Sequence, residues 1–409
     1  MSHFLILGSH PQLSLAEIRA VLPESKPLVI EEMAVLESQD WDGEALQNRL
    51  AGIVGLGEVV LELPMKSLDA EGLAEAILAR PRAEKIVFGL TIHGKTVEAK
   101  KYRRTLPLEL KRALQAQGKS VRWFRDQEGG VSPAAVAKLD LIREGYDLHI
   151  AMVEGHAIIG FTTHVQDADA WSLRDYGRPF RDAKTGMLPP KLARMMTNLA
   201  LPPSSSLPGY QPLLLDPFCG SGTILMEAAL LDQRTTIIGS DIDERQIAGC
   251  IQNMDWLVEK KLISDERRAK ISCFAHPVET LDAVLRPGQG VLRQAQHIII
   301  VTEGFLGHPL QGNETQERLT RQVSEIEALW KKALTVFAKI QSSGDKVVCV
   351  WPSFQTSHGT ASVDLTADLD RLGYRLMEAP LIYARPDQHV KRKIFRLEKT
   401  EHLTLPSPL

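Results

Sequence analysis

One stretch constrains this chain more than any other: Leu213-Leu214-Leu215-Asp216-Pro217-Phe218-Cys219-Gly220-Ser221-Gly222-Thr223. It reads as a buried strand, a glycine-rich turn and then a helix over residues 224–231. Glycines two apart behind a strand let a ligand approach the backbone, because neither carries a Cβ. Free N–H groups of the turn and of the helix start face that ligand. A second strand, over 235–240, ends in Asp241, about 20 residues past the glycines, where a carboxylate takes the ribose hydroxyls of a nucleoside cofactor. The Gly-x-Gly-x-x-Gly dinucleotide fingerprint is absent, and Asp-Pro-Phe precedes the glycines instead. The bland alternative is an ordinary strand-to-helix turn with no ligand. Asp216 and Asp241, on either side of the turn, argue against it.

A chain of 409 residues predicts roughly two or three domains. With 44% hydrophobic and 24% charged residues it has the make-up of an ordinary soluble protein. No apolar run reaches membrane-span length, and the first residues lack the basic flank of a signal peptide. Cys219, Cys250, Cys273 and Cys349 form no Cys-x-x-Cys pair, so neither a metal site nor a disulfide framework is suggested, and a reduced cytoplasm is expected.

The net charge of −3 excludes polyanion binding by bulk electrostatics, but the charge is unevenly spread. Between 95 and 125 lie Lys95, Lys100, Lys101, Arg103, Arg104, Lys111, Arg112, Lys119, Arg122 and Arg125, opposed only by Glu98 and Glu109, an excess of eight. Such a field holds a phosphate backbone; a solvated helix face is the competing reading.

Periodicity divides the N-terminal part. A strand at 3–8 is followed by a helix at 14–22, with Ser14 and Glu17 as a capping box. An extended run at 29–36, another at 53–63 and a helix at 70–78 complete an α+β unit over 1–84. Over 85–167 a strand (86–92), a helix (107–117), a strand (121–124), a helix (134–143) and a hairpin (148–153, 157–163) follow one another. Residues 168–209 form a connector whose helix starts at Pro189-Pro190 and carries Leu192, Met195, Met196 and Leu199 as a packing stripe. It ends in a loop of breakers at 202–209. From 210 to 409 strands near 213, 237, 271, 298 and 347 alternate with helices, closing on paired runs at 375–385 and 390–397.

Asp-Pro-Phe-Cys-Gly-Ser-Gly-Thr resembles motif I of S-adenosylmethionine-dependent methyltransferases that act on exocyclic amino groups of nucleic-acid bases. The order over 85–167, with Val131-Ser132-Pro133 and Thr163-His164-Val165-Gln166-Asp167, resembles a THUMP domain, an RNA-binding module, and 1–84 resembles the ferredoxin-like unit that precedes it. Together they are similar to the THUMP-containing tRNA guanine-N2 methyltransferases that act at position ten. That resemblance implies an α/β chain. Its C-terminal half is a Rossmann-like, doubly wound methyltransferase sheet, preceded by the α+β ferredoxin-like and THUMP-like units. The cofactor is then S-adenosyl-L-methionine, and no metal is needed. The cofactor contacts implied are Asp216, Phe218, Cys219, Gly220, Gly222, Thr223, Asp241 and Ile242, with Pro189, Pro190 and Lys191 of the connector and His276 after the third strand as further candidates. Asn253 reads as a structural link between helix and sheet. The partner is tRNA or another structured RNA, gripped by Lys100, Lys101, Arg103, Arg104, Lys111, Arg122 and Arg125. A small activating protein subunit, which some relatives need, is a further partner in view, and no membrane is involved.

Relatives carry Asp/Asn-Pro-Pro-Tyr/Phe after the fourth strand. An exocyclic amino group is a poor nucleophile, since its lone pair is delocalised. The first side chain and the next carbonyl accept its hydrogens and localise that pair, while the aromatic ring stacks on the flipped base. Here the strand 297–301 runs into Thr302-Glu303-Gly304-Phe305-Leu306-Gly307. Thr302 stands in the acid or amide position, both prolines are missing, and Phe305 keeps the aromatic position. Glu303 is new and suits the donor edge of guanine. Thr302, Glu303, Gly304 and Phe305 are therefore the candidate catalytic group. An N6-adenine-type enzyme on RNA or DNA, a small-molecule methyltransferase, and a non-catalytic RNA-binding protein with a vestigial pocket remain as alternatives.

Overall fold

The computed structural model describes residues 2–37, 41–125, 130–182, 186–201, 212–285, 297–385 and 388–401. The breaker loop at 202–209 and connector residues 183–185 lie outside the described residues. Two compact units emerge, Met1–Asp169 and Ala170–Leu409.

The first unit contains β1 (Ser2–Leu7), α1 (Pro11–Val21), β2 (Leu28–Ile30), β3 (Met33–Glu37), α2 (Gly43–Arg49), β4 (Ile53–Pro64) and α3 (Ala70–Leu78). It continues through β5 (Lys85–His93), α4 (Val97–Ala116), β6 (Ser120–Trp123), α5 (Pro133–Lys138), β7 (Tyr146–Val153) and β8 (His156–Val165). Its sheet has the order β2-β3-β1-β4-β8-β7-β5-β6. β4 pairs with β8, so this sheet runs through both stretches that the sequence divides at residue 84.

Three local readings are corrected. Ser14 and Glu17 do not cap α1, which starts at Pro11; instead the Ser14 hydroxyl donates to the Gly52 carbonyl at 2.6 Å. The buried Glu17 carboxylate accepts the Ala51 and Gly52 N–H groups at 3.0 and 2.7 Å. The run 29–36 is split into β2 and β3 around Glu31, whose φ of 52° makes the turn. α4 begins ten residues before Pro107, because Thr96 caps it by accepting the Ala99 N–H at 3.1 Å. Pro107 sits inside that helix, where it forgoes one ladder bond.

α6 (Ala168–Tyr176) leads into the second unit, followed by α7 (Pro190–Ala200), β9 (Leu213–Asp216), α8 (Thr223–Leu231), β10 (Thr236–Asp241), α9 (Glu244–Glu259), α10 (Asp265–Arg268), β11 (Ile271–Ala275) and α11 (Leu281–Val284). Then come β12 (Ile298–Glu303), α12 (Gln316–Ile340), β13 (Lys346–Thr356), β14 (Gly359–Ser362), α13 (Leu369–Leu372), β15 (Tyr374–Leu376), β16 (Leu381–Tyr383) and β17 (Val390–Lys399). The sheet order is β11-β10-β9-β12-β13-β17-β15, with β14 on β13 and β16 on β17. The strands from β11 to β13 in that order are parallel, and β9 and β12 in the middle are buried on both faces, which is why they read as unbroken apolar runs. Successive strands step outward from β9 to β11; the chain then returns to lay β12 on the other side of β9. That reversal opens a crevice at the strand C-termini, the place where such sheets take ligands. Trp330 and Phe337 of α12 pack with Trp351 and Phe395 of the sheet as the core beneath it. Leu192, Met195, Met196 and Leu199 of α7 are buried, as the stripe predicts.

Candidate active site

A cavity of about 490 Å³ lies over the ends of β9, β10 and β12. That volume is in the range of small-molecule sites. Motif I supplies Asp216, Pro217, Phe218, Cys219, Gly220, Ser221 and Thr223; β10 and its turn supply Asp241, Ile242 and Asp243. The wall after β12 supplies Glu303, Gly304, Phe305, Leu306 and Gly307.

The two glycines of the turn have different jobs. Gly220, at φ +49°, faces open space: a Cβ there meets nothing nearer than Gln246 Oε1 at 3.9 Å. Gly222, at φ +83°, is turned away from the cavity, and a Cβ there lies 2.5 Å from Cys250 Sγ of α9. So Gly220 serves the cavity, and Gly222 serves the packing of α9 on the turn. Asn253 fixes the same turn, donating to the Ser221 carbonyl at 2.9 Å while it exchanges hydrogen bonds with the Phe180 backbone. The connector is thus stitched to motif I. Arg178 adds a bond from Nη1 to Thr223 Oγ1 at 2.7 Å.

Electrostatics single the cavity out. Asp216, Asp241, Asp243, Glu279 and Glu303 line it, and among the described residues no lysine or arginine does. Asp216 is buried, and desolvation pushes its carboxyl up to about 8 against the pull of the Thr302 hydroxyl and the Phe218 N–H, with Asp241 and Glu303 adding repulsion. Asp241 accepts the Gly220 N–H at 2.9 Å and the Asp243 N–H at 3.0 Å. The turn's leading donor therefore already faces a carboxylate. Such a cavity repels a pyrophosphate and attracts a cation.

Several residues sit elsewhere than the sequence suggests. Thr302 is fully buried and does not reach the cavity; its hydroxyl donates to Asp216 Oδ1 at 2.6 Å. Strand pleating sends Thr302 and Glu303 to opposite faces, so only Glu303 lines the wall. His276 turns its ring onto Thr280, and Pro277, Val278 and Glu279 line the cavity in its place. Pro189 and Pro190 start α7 outside the cavity; Gly186, Met187 and Leu188 before them line it. Lys191 lies over the Trp171 ring at 5.7 Å, also outside the lining. Phe305 is 43% exposed, open to a stacking partner, with His308 edge-on at 5.4 Å. Gly304 lets the wall lie on Trp330, since a Cβ there sits 2.8 Å from the indole.

Two contributions were not read from the sequence. Arg392 of β17 pairs with Glu303 through Nε (2.5 Å) and Nη2 (3.1 Å), 89 residues away in the chain. Asp182 accepts Gln246 Nε2 at 2.9 Å beside the cavity. In the first unit, Lys100, Lys101 and Arg104 stand exposed on α4, and Arg122 on β6. Lys111 is half-buried, and Arg125 lies over the Trp123 ring at 5.1 Å. Arg103 is tied down: its guanidinium bonds Glu31 Oε2 and the Ile92 and Gly94 carbonyls, each at 2.8 Å.

Residues 178–267 match the family described as UPF0020: RMKL-like, methyltransferase domain. The chain is a distant homologue of tRNA (guanine(10)-N2)-dimethyltransferases: it is 30% identical to that of Methanocaldococcus jannaschii over 33% of this chain and 36% of the relative. It is 43% identical to the same enzyme of Methanothermobacter thermautotrophicus over 20% of this chain and 21% of the relative. It thus spans about a third and a fifth of those relatives' lengths. The crystal structure of TrmN from Thermus thermophilus superimposes with a TM-score of 0.53 at 19% identity, covering 98% of this chain and all of that one, and shows the same fold. Among the described residues no helix is long and apolar enough to cross a membrane.

Proposed function

We propose that this protein transfers the methyl group of S-adenosylmethionine to an exocyclic amino group of a base in RNA, with guanine N2 in tRNA as the preferred acceptor. The observation that carries the reading is a nucleoside-sized cavity, lined by five acidic side chains and by no lysine or arginine among the described residues, over a methyltransferase-type glycine turn. A sulfonium nucleoside suits that charge; a dinucleotide does not. Asp241 is placed for ribose hydroxyls, Asp216 for the cationic end, and Gly220 for close backbone approach. When bound, the cofactor supplies an electrophilic methyl group. The chain's own residues orient the acceptor: Phe305 offers a ring to a flipped base, and Glu303 accepts the two hydrogens that guanine presents side by side at N1 and N2. The new N–C bond forms as the methyl–sulfur bond breaks, and the nitrogen's proton leaves to water. The exposed cations of α4 neutralise phosphates.

One observation favours a second reading, a non-catalytic RNA-binding protein. Thr302 is turned inward, and both Glu303 oxygens are engaged by Arg392. Methyl transfer from labelled S-adenosylmethionine to unmodified tRNA transcripts and to DNA, followed by nucleoside mass spectrometry, separates the readings. N2-methylguanosine in tRNA is the expected product. N6-methyladenine redirects the substrate assignment, and no product with both ligands bound supports the non-catalytic reading.

A further inference from the structure

Glu303, on the cavity wall, and Arg392 form an enclosed ion pair, with both side chains less than a tenth exposed. Sheet register explains how they meet. Glu303 pairs with Val350 across β12 and β13, and Val350 pairs with Ile394 across β13 and β17. Arg392, two residues before Ile394, projects from the same face. Burial works against the charge on Arg392, but the Glu303 carboxylate more than offsets it and holds the guanidinium's pKa above its usual value. Glu303 lines the cavity; Arg392 does not. A guanidinium fork takes one lone pair from each carboxylate oxygen and leaves the second on each free.

We propose that Arg392 is a positioning residue for the methyl transfer, pinning Glu303 so that its remaining lone pairs form a two-pronged acceptor for the N1–H and N2–H edge of guanine. The inference rests on the guanine-N2 reading. It explains how a wall without Pro-Pro still presents paired acceptors: the rigidity that prolines give a backbone comes here from a forked ion pair. It also gives a basis for discrimination. Adenine puts an acceptor, N1, beside its amino group, so a fixed pair of carboxylate oxygens meets a lone pair there.

The test uses the full chain with tRNA transcripts and compares wild type, Arg392→Gln, Arg392→Lys, Glu303→Gln and the double variant Glu303→Gln/Arg392→Gln. Turnover, KM for tRNA and calorimetric cofactor affinity are read for each. Arg392→Gln lowers kcat by about 10²-fold, the size of losing one oriented acceptor, while KM and cofactor affinity stay within about threefold. Arg392→Lys keeps the charge without the fork and recovers roughly a tenth of wild-type turnover. The double variant is no slower than Glu303→Gln alone, because the two residues act as one unit. Full turnover in Glu303→Gln overturns the proposal, as do multiplicative losses in the double variant. Parallel losses of turnover, cofactor affinity and thermal stability in both Arg392 variants also overturn it, since they mark a purely structural clamp. Absence of product in wild type, with both ligands bound, instead removes the guanine-N2 reading, and the proposal falls with it.

Discussion

The cavity of the second unit and helix α4 of the first are opposites in charge and in construction. The cavity concentrates carboxylates that are held by backbone N–H groups, a buried hydroxyl and a buried guanidinium. α4 spreads its cations over solvent, and of the residues proposed to grip RNA only Arg103 is locked by several partners. Preorganised groups suit selective recognition of one small cationic molecule. Exposed lysines suit a polyanion of variable shape, where affinity comes from counterion release and not from fixed geometry.

The largest effect that tests this contrast is expected at Asp241. Asp241→Ala removes the carboxylate proposed to accept two ribose hydroxyls and is expected to lower cofactor affinity on the order of 10³-fold, at ~1.5–3 kcal/mol per charged hydrogen bond. Calorimetry measures it, and RNA affinity measured in parallel stays unchanged. An equal loss of both merges the two regions into one function. Reversing Lys100, Lys101 and Arg104 to glutamate is the converse. RNA affinity drops by about 10²-fold and its salt dependence flattens, while cofactor affinity holds. Arg103→Ala departs from that pattern by destabilising the first unit through loss of the Glu31 pair, a difference visible in thermal unfolding.

Smaller effects sharpen the division within the glycine turn. Gly222→Ala costs roughly 2–3 kcal/mol of stability, from a positive φ and the clash with Cys250. Gly220→Ala costs about 1 kcal/mol but loses cofactor affinity out of proportion. Comparable melting temperatures for the two variants would erase the distinction. The last expected effect is a pH slope, spread over several units. With Asp216 pushed up to about 8 from 3.8, the folded apo-protein binds a proton that the unfolded chain has released over that window, so stability falls as pH rises from about 4 to 8. A cationic ligand selects the ionised form, so its affinity rises with pH, by at most about tenfold per unit, and levels off near 8. Asp216→Asn flattens both slopes. Calorimetry in buffers of different ionisation enthalpy reports the released proton; identical observed heats in every buffer exclude it.

Much of the fold was legible because its signals are local. β9, the turn and α8 follow from a leucine run, two glycines and a helix-forming stretch, and Asp241 follows from a strand that ends where the sequence places it. The α3 helix was legible to the residue, from 70 to 78, because Asp69 caps it. Local signals misled where a residue has a stronger remote partner. Ser14 and Glu17 have capping-box spacing, yet a turn more than thirty residues away takes both side chains. His276 occupies a plausible loop position, but Thr280 holds its ring and Glu279 stands at the cavity.

The sequence by itself determined the glycine turn, the acidic residue after the second strand, and an aromatic ring past the fourth. Each depends only on backbone geometry within one strand, turn or helix. Only the tertiary structure decided which side chains face the cavity. Thr302 turns in and Glu303 turns out because pleating alternates along β12. Glu303 meets Arg392 because β13 sets the register between β12 and β17, strands separated by almost ninety residues of chain. Pairing across a sheet is settled by packing the whole core, so no spacing in the linear chain announces it.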